Sequence, residues 1–279
     1  RKGEPMRTIV ITGASDGIGA AASRQLAETG ARLIIVGRSP EKTSAVAAAT
    51  GAEHYVADFA RLDDVRRLAG ELNEVCERID VLANNAGGMF SGPTVTQDGF
   101  EKTFQVNHLA PYLLTHLLID KLIGSRSAVV NTSSIGARLF GHIDLEDLNN
   151  WAGFSPNKAY GDAKLANILF TKELPERFHG RGLSSVAFHP GNVATNFASD
   201  TDSYFQRVYH GALRAFLISP EQGGARLRHF IEGQPGQAWT SGEYYGAPGR
   251  IGRTNRQAYD AGIAVEHWRR SAAMLSIDW

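Results

Sequence analysis

Cysteine occurs once in this chain of 279 residues, at Cys76. An internal disulfide is thereby excluded, as is any thiolate-rich metal site, which fits a reducing compartment. Net charge is also absent: 29 Lys and Arg balance 29 Asp and Glu, with no basic block. Nucleic acid and anionic membrane surfaces are therefore not expected partners. The 9 histidines are scattered, with no His-Glu-x-x-His and no paired ligand spacing, so no metal site is expected. No uninterrupted apolar run approaches the ~18 residues needed to cross a bilayer. The opening Arg1–Met6 is polar and leads into a strand pattern, without a secretory apolar region. The expectation is a soluble cytoplasmic protein. Internal repeats, low-complexity linkers and composition breaks are missing too, so residues 1–279 read as one domain.

What is present is enough apolar sequence, 43% of residues, to bury a substantial core. Short β-branched runs alternate with longer amphipathic ones. Strands are predicted at 8–12, 32–36, 54–57, 81–84, 128–132, 184–188 and 242–245. Helices are predicted at 17–29, 40–51, 63–77, 100–123, 158–174 and 220–232. Ser39-Pro40 reads as an N-cap followed by proline at the first helical position, and Gly51 closes that helix. Apolar strands separated by helices specify an α/β fold of Rossmann type, a doubly wound parallel sheet covered on both faces. Ligands of such sheets bind beyond the carboxyl ends of the strands.

The residues following each strand are therefore the candidates. After the first comes Thr12-Gly-Ala-Ser-Asp-Gly-Ile-Gly19, where Gly13, Gly17 and Gly19 permit a tight turn and bring backbone N–H groups and a helix N-terminus against a pyrophosphate. A glycine turn needed only for packing would use the same residues. The second strand ends Val36-Gly37-Arg38, without the carboxylate that favours NAD(H) and with a guanidinium suited to a 2′-phosphate. NADP(H) is expected to be preferred, with NAD(H) possible, although Asp16 stands in the loop where a second basic residue would help. Asp58, with Phe59 beside it, follows the third strand and suits either an adenine amino group or a helix cap. Asn84-Asn-Ala-Gly87 forms a polar turn after the fourth strand. Asn107 lies in an apolar helix, and Pro111 lacks the N–H that would bond the Asn107 carbonyl, leaving that carbonyl available to a water. Ser133 and Ser134 end the fifth strand without a Gly-x-Ser-x-Gly elbow, which argues against a hydrolase nucleophile and for a donor to a substrate carbonyl.

Tyr160 and Lys164 stand four apart on one helical face. A phenol with a pKa near ~10 is a poor proton donor or acceptor at neutral pH unless a cation favours its phenolate, and an ammonium one turn away supplies that cation. A solvated i, i+4 pair would look the same in isolation.

Taken together, and in this order, Thr12-Gly-x-x-x-Gly-Ile-Gly19, Asn84-Asn-Ala-Gly87, Ser134, Tyr160-x-x-x-Lys164 and Pro190-Gly191 resemble the short-chain dehydrogenase/reductase family over roughly residues 6–250. Gln105-Val-Asn-His-Leu109, Ala163–Thr171 and the long spacer between Ser134 and Tyr160 look like its retinol-dehydrogenase-like branch. The resemblance implies an NAD(P)-dependent enzyme acting on a small-molecule carbonyl or alcohol. Tyr160 would be its acid and base, Lys164 would lower the Tyr160 pKa and bind ribose, Ser134 would hold the substrate oxygen, and Asn107 would anchor a relay water. Gly13, Ser15, Asp16, Gly17, Ile18, Gly19, Arg38, Asp58, Phe59, Asn85, Ala86, Gly87, Tyr160, Lys164, Pro190, Gly191, Val193 and Thr195 would contact the cofactor. The segment 196–219 takes the place of a substrate lid, and its aromatic residues suggest a lipophilic substrate or, equally, a core or subunit contact. Residues 250–279 form a C-terminal extension, and a homodimer or homotetramer is implied. A scaffold protein that kept cofactor binding and lost turnover is the alternative, and a nucleotide-sugar epimerase is disfavoured by the short C-terminal part.

Overall fold

A computed structural model describes residues 6–192, 217–247 and 249–279. Among them, eight strands form one sheet: β1 (Thr8–Thr12), β2 (Arg32–Gly37), β3 (Glu53–Val56), β4 (Val81–Asn84), β5 (Ala128–Thr132), β6 (Ser184–Phe188), β7 (Glu243–Ala247) and β8 (Arg250–Ile251). Their spatial order is β3-β2-β1-β4-β5-β6-β7-β8. The first seven run parallel, and β8 turns back antiparallel to β7. The chain winds outward from β1 through β2 to β3 and then returns to place β4 on the other side of β1. That reversal opens a crevice beyond the carboxyl ends of β1 and β4.

Helices α1 (Gly17–Leu26), α2 (Pro40–Thr50), α3 (Leu62–Val75), α4 (Lys102–Phe104), α5 (Ala110–Leu117), α6 (Ile119–Gly124), α7 (Gly136–Leu139), α8 (Pro156–Phe178), α9 (Pro220–Glu232) and α10 (Ala261–Met274) accompany the sheet. Successive strand residues point to opposite faces, so the central strands β1 and β4 are buried along their whole length, whereas the edge strand β3 leaves Glu53 and His54 exposed. Val10, Ile34, Leu82 and Val129 join one buried cluster with α3, α5, α8 and α10. Ile9, Ile11, Ile35, Val81 and Val130 join a second with α1, α2 and α9. The Ser39 hydroxyl accepts from Lys42 N, Pro40 opens α2, and Gly51 closes it at φ 71°, as its sequence predicts.

The stretch 100–123 is not one helix. Between α4 and α5 the chain makes a π turn over Gln105–Leu109, with Ala110 N donating to the Gln105 carbonyl, and it breaks again at Leu118. Pro111 has no N–H to offer its own i−4 carbonyl, so the ladder is already interrupted there.

The C-terminal extension also differs from its sequence reading, which left open whether it packs on the body. Asp260 caps α10 by accepting from Ile263 N at 3.1 Å. Ala264, Trp268, Ala272 and Leu275 then recur along one face and are buried. Trp268 stacks on Phe170 of α8 with ring centroids 5.6 Å apart and meets Tyr112 of α5 edge-on at 5.1 Å. Its backbone carbonyl accepts from the Tyr112 hydroxyl at 3.0 Å. α8 thus lies between the sheet and α10, so every residue from Ala159 to Thr171 is buried. Trp268→Ala should cost about 3–5 kcal/mol of stability, read as a lowered urea midpoint. A midpoint unchanged from wild type would mean that α10 is not docked on α5 and α8.

Candidate active site

The crevice is a cleft of ≈ 730 Å³ whose wall includes Gly13, Arg38, Ala86, Ser134, Tyr160 and Pro190. Its floor is built by close backbone approach. Gly13 turns at φ 64°, and a β-carbon on it would stand 2.7 Å from Ala86 Cα. One on Gly19 would stand 2.2 Å from the Gly13 carbonyl oxygen and 2.7 Å from Asn85 Nδ2. Neither position admits a side chain without moving backbone. The Asn85 amide braces this arrangement, donating to the Thr12 and Gly13 carbonyls at 3.2 Å and accepting from Thr132 Oγ1 at 3.0 Å. Thr12 Oγ1 in turn accepts from Asn85 N and Ala86 N at 3.1 and 3.0 Å.

Asp16 caps α1 by accepting from Gly17 N at 2.8 Å. The N–H groups of Ile18 and Gly19, at the positive end of the α1 dipole, meet no protein acceptor among the described residues. Ser15 lies against Gly37 at the end of β2. The set fits an anionic diphosphate: backbone donors, a helix N-terminus and no side chain in the way.

Beyond β2 the sequence reading placed Arg38 alone against Asp16. The structure adds Lys42, whose ammonium pairs with Asp16 Oδ2 at 2.9 Å. Lys42 lines the cleft with Arg38 and Asp16, so the loop carboxylate is neutralised and the second basic group comes from α2. Its signal was available, because Ser39 as N-cap puts Lys42 in the first turn of the helix, close to Arg38. Asp58 and Phe59 both line the cleft. Asp58 Oδ1 also accepts from Ala60 N at 3.0 Å, so this carboxylate shapes its own turn.

On the opposite side of β1, the helix carrying Tyr160 and Lys164 begins at Ser155, whose hydroxyl accepts from Lys158 N, with Pro156 at the first position. Lys164 is 3% exposed. Its ammonium donates to the Thr132 carbonyl at 3.0 Å and lies 5.6 Å from the centre of the Tyr160 ring. Burial pulls its pKa down from 10.5 to about 8. Gly87 passes just beside it: a β-carbon there would be 3.0 Å from Lys164 Nζ and 2.4 Å from Asn107 Oδ1. The buried Asn107 amide is fully engaged, donating to the Gly88 and Thr103 carbonyls at 2.8 Å and accepting from Gly88 N at 3.0 Å. Asn107 thereby fixes the turn through Gly87 and Gly88.

The two serines after β5 part company. Ser133 Oγ is buried and donates to the Lys164 backbone carbonyl at 2.9 Å. Ser134 Oγ accepts from Gly136 N at 3.0 Å, and both serines line the cleft. A β-carbon on Gly136 would lie 3.2 Å from Tyr160 Cε1 and 3.3 Å from Ser134 Oγ, so the phenol ring and this hydroxyl are neighbours. Pro190 and Gly191 close the wall, with Gly191 at φ 97° against Ile218. Val193 and Thr195 lie outside the described residues, as do 196–216 of the expected lid. The long spacer folds away from the cleft. His142 N donates to Asp162 Oδ1 at 2.6 Å, Gln257 exchanges two hydrogen bonds with Ile143, and Arg270 donates to the Leu145 carbonyl at 2.7 Å.

Residues 7–204 match the family model described as short chain dehydrogenase. The chain belongs to the short-chain dehydrogenase/reductase family. It is 41% identical to the "Putative daunorubicin C-13 ketoreductase DnrU" of Streptomyces sp. (strain C5), an alignment covering 98% of this chain and 94% of that one. It is 36% identical to human retinol dehydrogenase 13 over 98% of this chain and 86% of the relative. A solved structure of an uncharacterized protein from Mycobacterium paratuberculosis superposes with a TM-score of 0.78 at 32% identity, covering 98% of this chain and 94% of that chain. This short-chain dehydrogenase is therefore an NAD(P)-dependent oxidoreductase of the retinol-dehydrogenase-like branch. Among its described residues no helix is long and apolar enough to cross a membrane.

Proposed function

We propose that this dehydrogenase prefers NADP(H), accepts NAD(H) less well, and interconverts a lipophilic carbonyl with its alcohol, using Tyr160 as general acid and base. The observation that supports this best is the meeting of Tyr160, Ser134 and the buried Lys164 at one end of a cleft. At the far end stand two cations, Arg38 and Lys42.

The backbone cradle of Gly13, Ser15, Gly17, Ile18 and Gly19 would hold the diphosphate. Asp58 and Phe59 would flank the adenine, and Asn85, Ala86, Gly87, Pro190, Gly191, Val193 and Thr195 the nicotinamide half. Bound there, the nicotinamide supplies or accepts the hydride. Ser134 holds the substrate oxygen through its hydroxyl hydrogen, which stays available because Oγ meets Gly136 N as an acceptor, through one of its two lone pairs. In reduction, Tyr160 gives its phenolic proton to that oxygen, and in oxidation it takes one back. Lys164 stabilises the phenolate left behind and hands on a proton in turn. Asn107 fixes the Gly87–Gly88 turn beside that ammonium and, through its main-chain carbonyl, anchors a water that relays the proton.

A lipophilic substrate is supported by the apolar segment 196–219 and by relatives named for retinol and for a daunorubicin ketone. Arg38→Asp tests the cofactor preference. The variant should bind NADPH about 10- to 100-fold more weakly, the range for losing a charge-assisted contact to phosphate. NADH affinity should hold or improve. Equal loss of both would remove the 2′-phosphate role from Arg38.

A further inference from the structure

The sequence reading passed over the residue before Pro190-Gly191. His189 sits at the end of β6, its backbone N donating to the Tyr245 carbonyl at 2.9 Å, and its side chain forms part of the cleft wall. Imidazole Nδ1 accepts from Ile135 N at 3.2 Å. Ile135 is the residue after Ser134, and Gly136, the next, donates to Ser134 Oγ. The two N–H groups that open α7 are thus divided between two acceptors, one to each.

That division matters to the Ser134 hydroxyl, which has one hydrogen and two lone pairs. With Gly136 N on one lone pair, its hydrogen remains available to a substrate oxygen. If His189 were not there, the Ile135 N–H would be left without its acceptor in a part-buried turn. An unsatisfied buried N–H costs about 1–3 kcal/mol, enough to pull such a turn toward a new partner.

We infer that His189 is a positioning residue that holds the Ser134 turn in register with the Pro190–Gly191 wall by accepting from Ile135 N. The inference rests on the assignment of Ser134 to the substrate oxygen. It requires a neutral imidazole with its proton on Nε2, since a protonated Nδ1 cannot accept. Burial, together with the charge of Arg226 on α9, pushes the His189 pKa down to about 4, so the acceptor persists through the neutral range.

Two variants separate the acceptor from the bulk of the ring. Asparagine carries an oxygen at the position of Nδ1, whereas leucine fills the space and accepts nothing. With NADPH and decanal, His189→Leu should lower kcat by about 10- to 100-fold, the loss expected from misplacing a reacting group by about an ångström. NADPH affinity should stay within about twofold. His189→Asn should recover kcat to within a fewfold of wild type. A His189→Leu enzyme with wild-type kcat would overturn the inference, as would an Asn variant as impaired as the Leu variant. Nitrogen-15 NMR of histidine-labelled wild-type protein gives a readout free of turnover and of variant folding. The Nε2–H tautomer, with Nδ1 bare, is expected, and a proton on Nδ1 would overturn the inference. Failure of the wild-type protein to reduce decanal would count instead against the proposed substrate class, leaving the tautomer to decide the role of His189.

Discussion

Tyr160→Phe should lower turnover by about 10²- to 10⁴-fold, the range that a positioned general acid contributes, while leaving NADPH affinity within about twofold. The substitution removes one oxygen. The ring itself is 4% exposed and packs against Gly136, a contact between carbon atoms that phenylalanine keeps. The cradle for the diphosphate lies across β1 and β4 and takes nothing from the phenol. Loss of turnover with intact binding therefore separates proton transfer from folding and from cofactor recognition. Steady-state kinetics together with fluorescence titration of NADPH give both numbers on one preparation. A variant that keeps a tenth or more of wild-type turnover would remove Tyr160 from the proton step, and a variant that loses NADPH binding would make its role structural.

Lys164→Met should move activity and stability in opposite directions. Activity should drop at least 100-fold, since without the ammonium nothing offsets the negative charge that proton transfer would leave on the phenol oxygen. Stability at pH 7 should rise by about 1–3 kcal/mol. The ammonium is buried, 3% exposed, and its recorded hydrogen bond goes to a neutral carbonyl, that of Thr132. Burial holds its pKa near 8 against 10.5 when free. Between those two values the unfolded chain binds more protons than the folded one, so wild-type stability climbs as pH rises from about 8 to 10.5. Below that window the whole penalty applies, about 3 kcal/mol for a shift of this size. Methionine carries no such penalty and should show no such climb from this site. Its advantage should therefore narrow through the same window. Urea unfolding of both proteins at pH 7 and pH 9.5 measures this. A methionine variant much less stable at pH 7 would mean that the ammonium holds the fold together. A cation kept where burial makes it costly is what the proposed phenolate-stabilising role of Lys164 would require.

The strands and most helices were legible because each carries a local signal. Apolar runs marked β1, β2, β4 and β5, β-branched and aromatic residues marked β3 and β6, and Ser39-Pro40 with Gly51 bounded α2. The candidate site was legible because most of its residues follow a strand, so finding the strands found the cleft, while Tyr160 and Lys164 were marked by their helical spacing. What escaped depends on contacts distant in sequence. α10 is a short amphipathic helix whose face is defined by Phe170 and Tyr112, far back in the chain. Two residues of β8 are too few to show a period. The break in the 100–123 helix was half visible: Pro111 announced a lost hydrogen bond, but not that the chain would take it up as a π turn. Lys42 escaped because a lysine in a first helical turn looks solvated until Asp16 is brought beside it. His189 escaped because its partner, Ile135 N, is a backbone group, and backbone groups leave no trace in residue identity. Both serines after β5 line the cleft, and they are separated by the Lys164 carbonyl, which takes the Ser133 hydroxyl hydrogen.

The measurement that bears most directly on the proposed reaction is an equilibrium titration of the wild-type protein with NADPH and, separately, with NADH. Both should bind, and NADPH more tightly, with Arg38 and Lys42 at the 2′-phosphate and the glycine cradle common to the two. Tighter binding of NADH would reverse the cofactor preference and leave the enzyme. Binding of neither by folded protein would contradict the assignment of this cleft to a nicotinamide dinucleotide, and with it the roles given to Tyr160, Lys164 and Ser134.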